Sequence, residues 1–127
     1  MKVNYREISP DKRIAMIAAM ELKGYSSCFV GIGIPSDTAC LAKDTIEPNI
    51  NLIYESGAIG AMPKTKSYST GSPSIAHGSD MITDSFSVFS DLQAGRIDVG
   101  LLSAAQIDIY GNLNSTVIGD YRTPKIR

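Results

Sequence analysis

The sequence predicts an α/β protein with an open, mainly parallel sheet and helices on both of its faces. Short apolar runs alternate along the chain with segments whose apolar residues recur at helical spacing. Strands that alternate with helices usually pair in parallel, and the helical connections then cover the sheet. The length of 127 residues, with 43% hydrophobic and 20% charged residues, predicts a single folded domain over residues 1–127.

The first helix is predicted to begin at Ser9-Pro10-Asp11. A serine side chain can accept a hydrogen bond from a free N–H group at a helix start, and proline suits the first helical position. Gly24 predicts the end of this helix. Its apolar stripe, which is predicted to face the core, consists of Ile14, Ile17, Ala18 and Leu22.

Two apolar runs predict the first two strands of the sheet. Residues 28–30 are typical of a buried strand, and the glycine-rich residues 31–35 of the tight turn that leaves it. Ser36 is predicted to cap a second helix, which ends before Pro48 because the residue before a proline avoids helical backbone angles. The second strand is predicted over residues 50–54.

The rest of the chain is predicted to be richer in loops. Residues 56–61 are mostly small and predict a flexible segment, and residues 62–81, rich in Ser, Thr, Pro and Gly, predict a loop. The remaining predicted elements are a helix over 84–93 stopped by Gly95, a strand over 97–102, a turn at 110–112 and an extended segment over 113–118.

Candidate site residues follow both of the first two predicted strands. Ligands of parallel sheets bind at the carboxyl ends of the strands, where Gly31, Gly33 and Glu55 are expected to share one crevice. The glycine turn offers N–H groups for a phosphate or an oxyanion, although a tight turn without a ligand remains an alternative. Glu55 directly follows a buried run, and a surface or capping carboxylate is the alternative interpretation for it.

Composition and charge argue against several other classes of function. Twelve basic and thirteen acidic residues give a net charge of −1, which disfavours nucleic acid as a partner. The apolar runs are too short to cross a membrane, and the first residues show no export signal, so we expect a cytoplasmic protein. Cys28 and Cys40 lack metal-ligand or redox spacing and are expected to be core residues.

The histidine, His77, lies close to Ser79 and Asp80, but this group does not predict a hydrolase triad. Neighbours in one short loop rarely place an imidazole between two converging side chains, and a lone histidine is a poor metal site. No metal is therefore expected. The remaining basic residues are expected to be solvated charges, with phosphate contact as the alternative: Lys64, Lys66, Arg122, Lys125 and Arg127.

Three segments of the chain resemble family I coenzyme A transferases. Residues 54–60, Tyr-Glu-Ser-Gly-Ala-Ile-Gly, resemble the family's Ser-Glu-Asn-Gly signature, in the Glu-Ser-Gly form similar to the glutaconate branch. Residues 30–35 resemble the loop before the second helix, and residues 105–116 with 118–121 resemble a later segment of the beta subunit. The chain is therefore identified as similar to the N-terminal portion of a beta subunit of this family.

The resemblance implies a fold, a reaction and partners. The fold is that of the coenzyme A transferases (NagB/RpiA-like), apparently truncated, because family beta subunits run on for about as long again through a Gly-Gly-Ala segment. The implied reaction is a ping-pong transfer of coenzyme A between carboxylic acids through a glutamyl thioester, in a hetero-oligomer with an alpha subunit. Coenzyme A is then a substrate, and no tightly bound cofactor is expected.

The resemblance also implies roles for particular residues. Glu55 corresponds to the covalent nucleophile. The residues expected to bind substrate or coenzyme A are Gly31, Gly33, Ser56, Gly57, Gln106 and Asn112. Ordinary turn or backbone bonding remains the alternative for Gln106, Asn112 and Asn114. Two alternative functions also stay open, namely a thioester or ring-opening hydrolase on the same fold and a non-catalytic assembly fragment.

Overall fold

The computed structural model describes residues 7–63 and 69–126, which form three α-helices, a 3₁₀ helix and nine short strands. The helices are α1 (Pro10–Glu21), α2 (Ile34–Thr45), the 3₁₀ helix (Pro73–Ala76) and α3 (Ser85–Gln93). The strands are β1 (Ser27–Val30), β2 (Asn51–Tyr54), β3 (Ala58–Ile59), β4 (Met81–Ile82), β5 (Val99–Leu101), β6 (Gln106–Ile107), β7 (Leu113–Asn114), β8 (Ile118–Gly119) and β9 (Pro124–Ile126).

The main sheet has the strand order β4-β3-β2-β1-β5. Strand β1 lies at the parallel centre, paired with β2 on one side and β5 on the other. Strands β3 and β4 are antiparallel additions of two residues each at one edge. The prediction of an open, mainly parallel sheet is thus confirmed. The sequence patterns did not predict the two short antiparallel strands.

Helices cover both faces of this sheet, as predicted. On one face, the buried Val30, Leu52 and Tyr54 join a core cluster with alanines of α1 and α2. On the other face, Phe29 packs in a second cluster with Val88 of α3. This two-sided burial follows from the alternation of side chains along β1 and β2.

Helix α1 begins where predicted but turns a different face to the core. The side chain of Ser9 makes no capping hydrogen bond, so that part of the prediction is wrong. The predicted stripe is wrong for Ile14 and Ile17, whose side chains are 55% and 65% exposed. The buried positions are Ala15, Ala19 and Leu22. Small residues allow α1 to lie close to α2, which buries Ala39 and Ala42 in the same cluster as Ala19.

Helix α3 confirms its predicted start and its predicted stop. Asp84 precedes the helix, and its carboxylate accepts a hydrogen bond of 2.9 Å from the backbone N–H of Ser87. This bond satisfies one of the N–H groups that a helix start leaves without a partner. Gly95 follows the helix with a φ of +70°, a backbone angle that favours glycine.

The chain after β5 forms two separate hairpins. Strands β6 and β7 pair in one hairpin, and β8 and β9 pair in the other. The predicted turn at 110–112 lies within the first hairpin, whereas the predicted single extended segment over 113–118 is wrong. The structure instead ends β7 at Asn114 and begins β8 at Ile118. Neither hairpin joins the main sheet.

Both cysteines are core residues, as predicted. Cys28 is fully buried, Cys40 is partly buried, and both are free thiols. Burial raises the pKa of Cys28 to about 11 and also raises the pKa of Cys40. Both thiols are therefore protonated at neutral pH, and a thiolate reaction is disfavoured. No helix in the described parts of the chain is long and apolar enough to cross a bilayer.

A carboxylate clamp joins the starts of β1 and β5. Asp98 Oδ2 accepts hydrogen bonds from the backbone N–H groups of Ser26 and Ser27, at 3.0 and 2.9 Å. The Ser27 hydroxyl lies 3.1 Å from the same oxygen. These bonds, led by the one from the Ser26 N–H, hold the pKa of Asp98 below its usual value. The clamp therefore depends on the ionised carboxylate.

We expect Asp98→Asn to lower the free energy of unfolding at neutral pH. Because the folded-state pKa is lowered, the contribution is present above the unfolded-state pKa of about 4 and is lost as the pH falls through the lower folded value. Urea denaturation at a series of pH values measures the effect. The gap between wild type and variant should close at acidic pH. A difference in the free energy of unfolding that is equal at neutral and acidic pH would contradict the clamp. The control is Asp44→Asn, at an exposed position of α2, and an equal loss of stability in this variant would also contradict the clamp.

Candidate active site

Glu55 lies in a tight turn at the carboxyl end of β2. The backbone N–H of Gly57 donates a hydrogen bond of 2.9 Å to the carbonyl of Tyr54, so that Glu55 and Ser56 form the centre of a four-residue turn. The turn leads directly into β3, which pairs back on β2 through Ile53 and Ile59. Glu55 is thus presented at the tip of a hairpin, where its side chain is partly exposed.

Gly57 fixes the shape of this turn. Its φ is +104°, and a Cβ atom at this position would clash with the carbonyl oxygen of Thr83. The N–H of Thr83 in turn donates a hydrogen bond of 2.9 Å to the carbonyl of Gly57. The segment 56–61, predicted to be flexible, thus contains strand β3 and is held by backbone hydrogen bonds.

Tyr54 anchors the start of the turn in the core. Its side chain is fully buried, and its hydroxyl lies 3.0 Å from the hydroxyl of Ser36 in the first turn of α2. Burial raises the pKa of Tyr54, so the hydroxyl stays protonated. The prediction that Ser36 caps α2 is wrong, because Gly33 is the cap residue and Ser36 lies inside the helix. Ser36 instead ties α2 to the strand that carries Glu55.

The glycine turn lies beside the Glu55 turn, as predicted. Val30 and Tyr54 are paired residues of adjacent parallel strands, so Gly31 and Glu55 each follow a member of this pair. Strands of a sheet lie about 5 Å apart. The N–H of Gly31 already donates a hydrogen bond of 2.9 Å to the carbonyl of Leu101. The N–H of Gly31 is therefore already used within the sheet, and the missing side chain of Gly31 allows the backbone of Leu101 to approach closely. Gly33, with a φ of +80°, sets the start of α2.

The side chains of Gln106 and Asn112 bond within the first hairpin. Gln106 Oε1 accepts a hydrogen bond of 2.8 Å from Asn114 Nδ2, and Asn112 Nδ2 donates one of 2.8 Å to Asp108 Oδ2. The bonds from Asn112 also hold the pKa of Asp108 below its usual value. Among residues 7–63 and 69–126, no hydrogen bond joins this network to Glu55. These contacts favour the ordinary turn bonding that the sequence left open.

The group around His77 does not form a triad. The Ser79 hydroxyl donates a hydrogen bond of 2.7 Å to the carbonyl of Ala76 rather than to an imidazole nitrogen. The backbone N–H of Asp80 donates to the carbonyl of Ile59. The described residues contain no cluster of three or more His, Cys, Asp or Glu side chains arranged for a metal ion.

Three of the basic residues that were predicted to be solvated charges, Lys64, Lys66 and Arg127, lie outside the described residues.

A cleft opens beside the Glu55 turn on the side of Ser56. It has a volume of about 180 Å³ and is lined by Ser56, Ala58, Thr70, Gly71, Ser72, Pro73, Ala76 and Ile82. Sequence reasoning singled out only Ser56 among these residues. The polar, irregular composition of residues 62–81 indicated a loop, but no spacing in that loop identified Thr70 or Ser72.

Comparison with known proteins identifies the family. The family model for coenzyme A transferase matches residues 12–127. The chain belongs to the coenzyme A transferase family. The resemblance of the Glu55, glycine-turn and hairpin segments to this family is thus confirmed at the level of the family.

Coenzyme A transferase beta subunits are also similar to the chain along nearly its whole length. The beta subunit of 3-oxoadipate CoA-transferase from Pseudomonas knackmussii is 48% identical over 120 residues, which cover 94% of this chain and 46% of the relative. The beta subunit of glutaconate CoA-transferase from Acidaminococcus fermentans is 30% identical over 129 residues, which cover 98% of this chain and 48% of the relative. The chain therefore spans about half the length of these coenzyme A transferase subunits.

A solved coenzyme A transferase shows the same fold. The crystal structure of glutaconate coenzyme A-transferase from Acidaminococcus fermentans superposes with a TM-score of 0.79 at 30% sequence identity. The match covers 98% of this chain and 50% of that one. The predicted fold is confirmed. The higher identity to the 3-oxoadipate relative than to the glutaconate relative leaves glutaconate unsupported as a particular substrate.

Proposed function

We propose that this chain supplies the nucleophile of an enzyme that transfers coenzyme A from an acyl thioester to a small carboxylic acid. The observation that carries the proposal is the placement of Glu55 in a turn fixed by the Gly57–Thr83 contact, in a chain of the coenzyme A transferase family. A rigid turn presents the carboxylate in one position, and the effective concentration of a well-placed nucleophile contributes strongly to catalysis.

The first half of the proposed reaction loads coenzyme A onto Glu55. A carboxylate oxygen of Glu55 attacks the thioester carbonyl carbon, forming a C–O bond as the C–S bond breaks, which leaves a mixed anhydride and free thiolate. The thiolate then attacks the carbonyl carbon of Glu55 and expels the donor acid as a carboxylate. Glu55 is now a glutamyl thioester of coenzyme A.

The second half runs the same steps with the acceptor acid. Its carboxylate attacks the glutamyl thioester, and the released thiolate attacks the acceptor carbonyl of the resulting anhydride. The products are the new acyl thioester and the free Glu55 carboxylate. One thioester replaces another, so no other energy source is needed. Water must be excluded, because it would hydrolyse each covalent intermediate.

We propose that a partner alpha subunit completes the site and excludes this water. The two similar proteins are each named as one subunit of a transferase, which supports a hetero-oligomer. We further propose that the chain is one domain, equivalent to the N-terminal portion of such a subunit. The cytoplasm remains the proposed location, in agreement with two cysteines that are free thiols.

The other predicted site residues receive different proposed roles. We propose that Gly31, Gly33, Ser56 and Gly57 shape the pocket around Glu55. Gln106 and Asn112 are proposed to stabilise the first hairpin, since their amides already bond there. As substrates we propose small dicarboxylic acids with coenzyme A, because both relatives are named for a dicarboxylate.

The test is to trap coenzyme A on Glu55. The chain is combined with its partner subunit and acetyl-CoA without an acceptor acid, and intact-mass spectrometry is used to detect an adduct. We expect an adduct on this chain that is lost in Glu55→Ala. Steady release of free coenzyme A without an acceptor acid would favour a thioester hydrolase, and binding without an adduct would favour a non-catalytic assembly protein.

A further inference from the structure

The cleft beside Ser56 has the size of a small acyl group. At about 30 Å³ for each water-sized group, its volume of about 180 Å³ accommodates about six non-hydrogen atoms. Pockets for drug-sized ligands usually measure about 300 to 1,000 Å³. The cleft is therefore too small for coenzyme A but fits the chain of a short acid.

The lining of the cleft combines two kinds of surface. Three residues with hydroxyl side chains, Ser56, Thr70 and Ser72, line the cleft, and all three are partly buried. The Ser72 hydroxyl is already engaged with that of Ser74 at 2.8 Å. The apolar part of the lining comes from Ala58, Pro73, Ala76 and Ile82. Such a lining suits methylene groups that carry a hydrogen-bond acceptor.

The cleft lies next to the turn that carries Glu55. Ser56 lines the cleft and is the neighbour of Glu55 in the tight turn, so the cleft begins one residue from the proposed nucleophile. Ala58, which follows Gly57, lines the cleft on the strand side and is itself buried. An acid whose carboxyl reacts at Glu55 can therefore extend its chain along Ser56 toward Thr70.

We infer that this cleft is the subsite for the chain of the carboxylic acid, and that two hydroxyls, that of Ser56 next to Glu55 and that of Thr70 farther along the cleft, donate hydrogen bonds to the acceptor group that the acid carries beyond its reacting carboxyl. The inference rests on the proposed transferase function of Glu55. Among the described residues that line the cleft, the side chains that can donate a hydrogen bond are hydroxyls. A distal carboxylate accepts such bonds and a methyl group does not, so we expect acids with a distal carboxylate to be preferred over acids of equal length that end in a methyl group.

The experiment compares glutarate with pentanoate as acceptors, using acetyl-CoA as the donor and the chain in complex with its partner subunit. Beyond the reacting carboxyl, glutarate has about six non-hydrogen atoms, which matches the cleft. We expect wild type to prefer glutarate in kcat/KM. Thr70→Val should lower kcat/KM for glutarate about tenfold or more, the effect of losing a hydrogen bond to a charged group, and leave pentanoate unchanged.

Three further variants make the result decisive. Thr70→Ser keeps the hydroxyl and should retain the preference for glutarate. Ser56→Ala should reduce it independently of any effect at Thr70. Thr45→Val makes the same substitution as Thr70→Val at the end of α2 remote from Glu55, and should change neither acceptor. If Thr70→Val and Ser56→Ala both leave the preference intact, or lower both acceptors equally, the subsite is wrong.

Trapping of coenzyme A separates this failure from failure of the proposed function. If wild type and Thr70→Val both form the adduct on Glu55 and show the same preference for glutarate, the subsite proposal is wrong. The proposal that Glu55 is the nucleophile then stands. An absent adduct in wild type would overturn the proposed function and the subsite together. An adduct together with a loss of glutarate preference in Thr70→Val supports both.

Discussion

Glu55→Gln is expected to abolish coenzyme A transfer, because the amide cannot form the mixed anhydride. Removal of the covalent nucleophile from another enzyme lowers kcat by about 10⁶-fold, and we expect a loss of at least ~10⁴-fold here. Glu55→Asp keeps a carboxylate but withdraws it by one methylene. A misplacement of about 1 Å costs roughly 10²-fold, so this variant should retain measurable activity. Steady-state transfer by the complex with the partner subunit measures both.

The matched control is Glu21→Gln, which makes the same substitution at the exposed last residue of α1. Its rate should equal that of wild type. If Glu55→Gln kept a rate within tenfold of wild type, Glu55 would not be the nucleophile. If Glu55→Asp and Glu55→Gln lost activity equally while both stayed folded, the position of the carboxylate would matter as much as its presence.

Gly57→Ala is expected to be the most destabilising substitution in the active-site turn. A positive φ costs an L-residue about 1 to 2 kcal/mol. The added Cβ would also clash with the carbonyl oxygen of Thr83, so β4 must move and strain its bonds to the turn. We expect a total loss of roughly 3 to 5 kcal/mol in the free energy of unfolding, together with loss of transfer activity. Urea denaturation followed by circular dichroism measures the loss of stability.

The variant Gly24→Ala separates the cost of the positive φ from the cost of the clash with Thr83. Gly24 has a φ of +86°, similar to that of Gly57, but a Cβ atom there would meet nothing within 4 Å. This variant should lose only the cost of the backbone angle, about 1 to 2 kcal/mol, and keep its transfer activity. Equal losses in the two variants would show that the contact with Thr83 contributes nothing.

The parts of the fold that could be predicted from sequence depend on local patterns. The buried strand before Glu55, the proline start of α1 and the glycine stop of α3 each rest on a few adjacent residues, and each was confirmed. The predictions that failed required knowledge of a neighbour. Ile14 and Ile17 have helical spacing, but α2 packs against the adjacent alanine face of α1. Spacing alone cannot choose between two adjacent apolar faces.

In the candidate site, too, local sequence patterns identified some residues, and contacts with distant residues explain the others. Glu55 was identified from an acidic residue at the end of an apolar run and from its resemblance to a family signature. The role of Gly57 was not visible in the sequence, because Thr83, which requires a glycine there, lies in a distant loop. Ser36 carries the residue type of a helix cap, yet a buried tyrosine hydroxyl from β2 is its partner.

The sequence by itself determined the fold class, the family and the position of the proposed nucleophile, because these depend on short-range periodicity and on contiguous motifs. The tertiary structure decided which face of α1 is buried, which contacts hold the Glu55 turn and how Thr70 comes to line a cleft with Ser56. Each of these depends on contacts between residues far apart in the chain. Such contacts form only when the sheet assembles, so no local pattern records them.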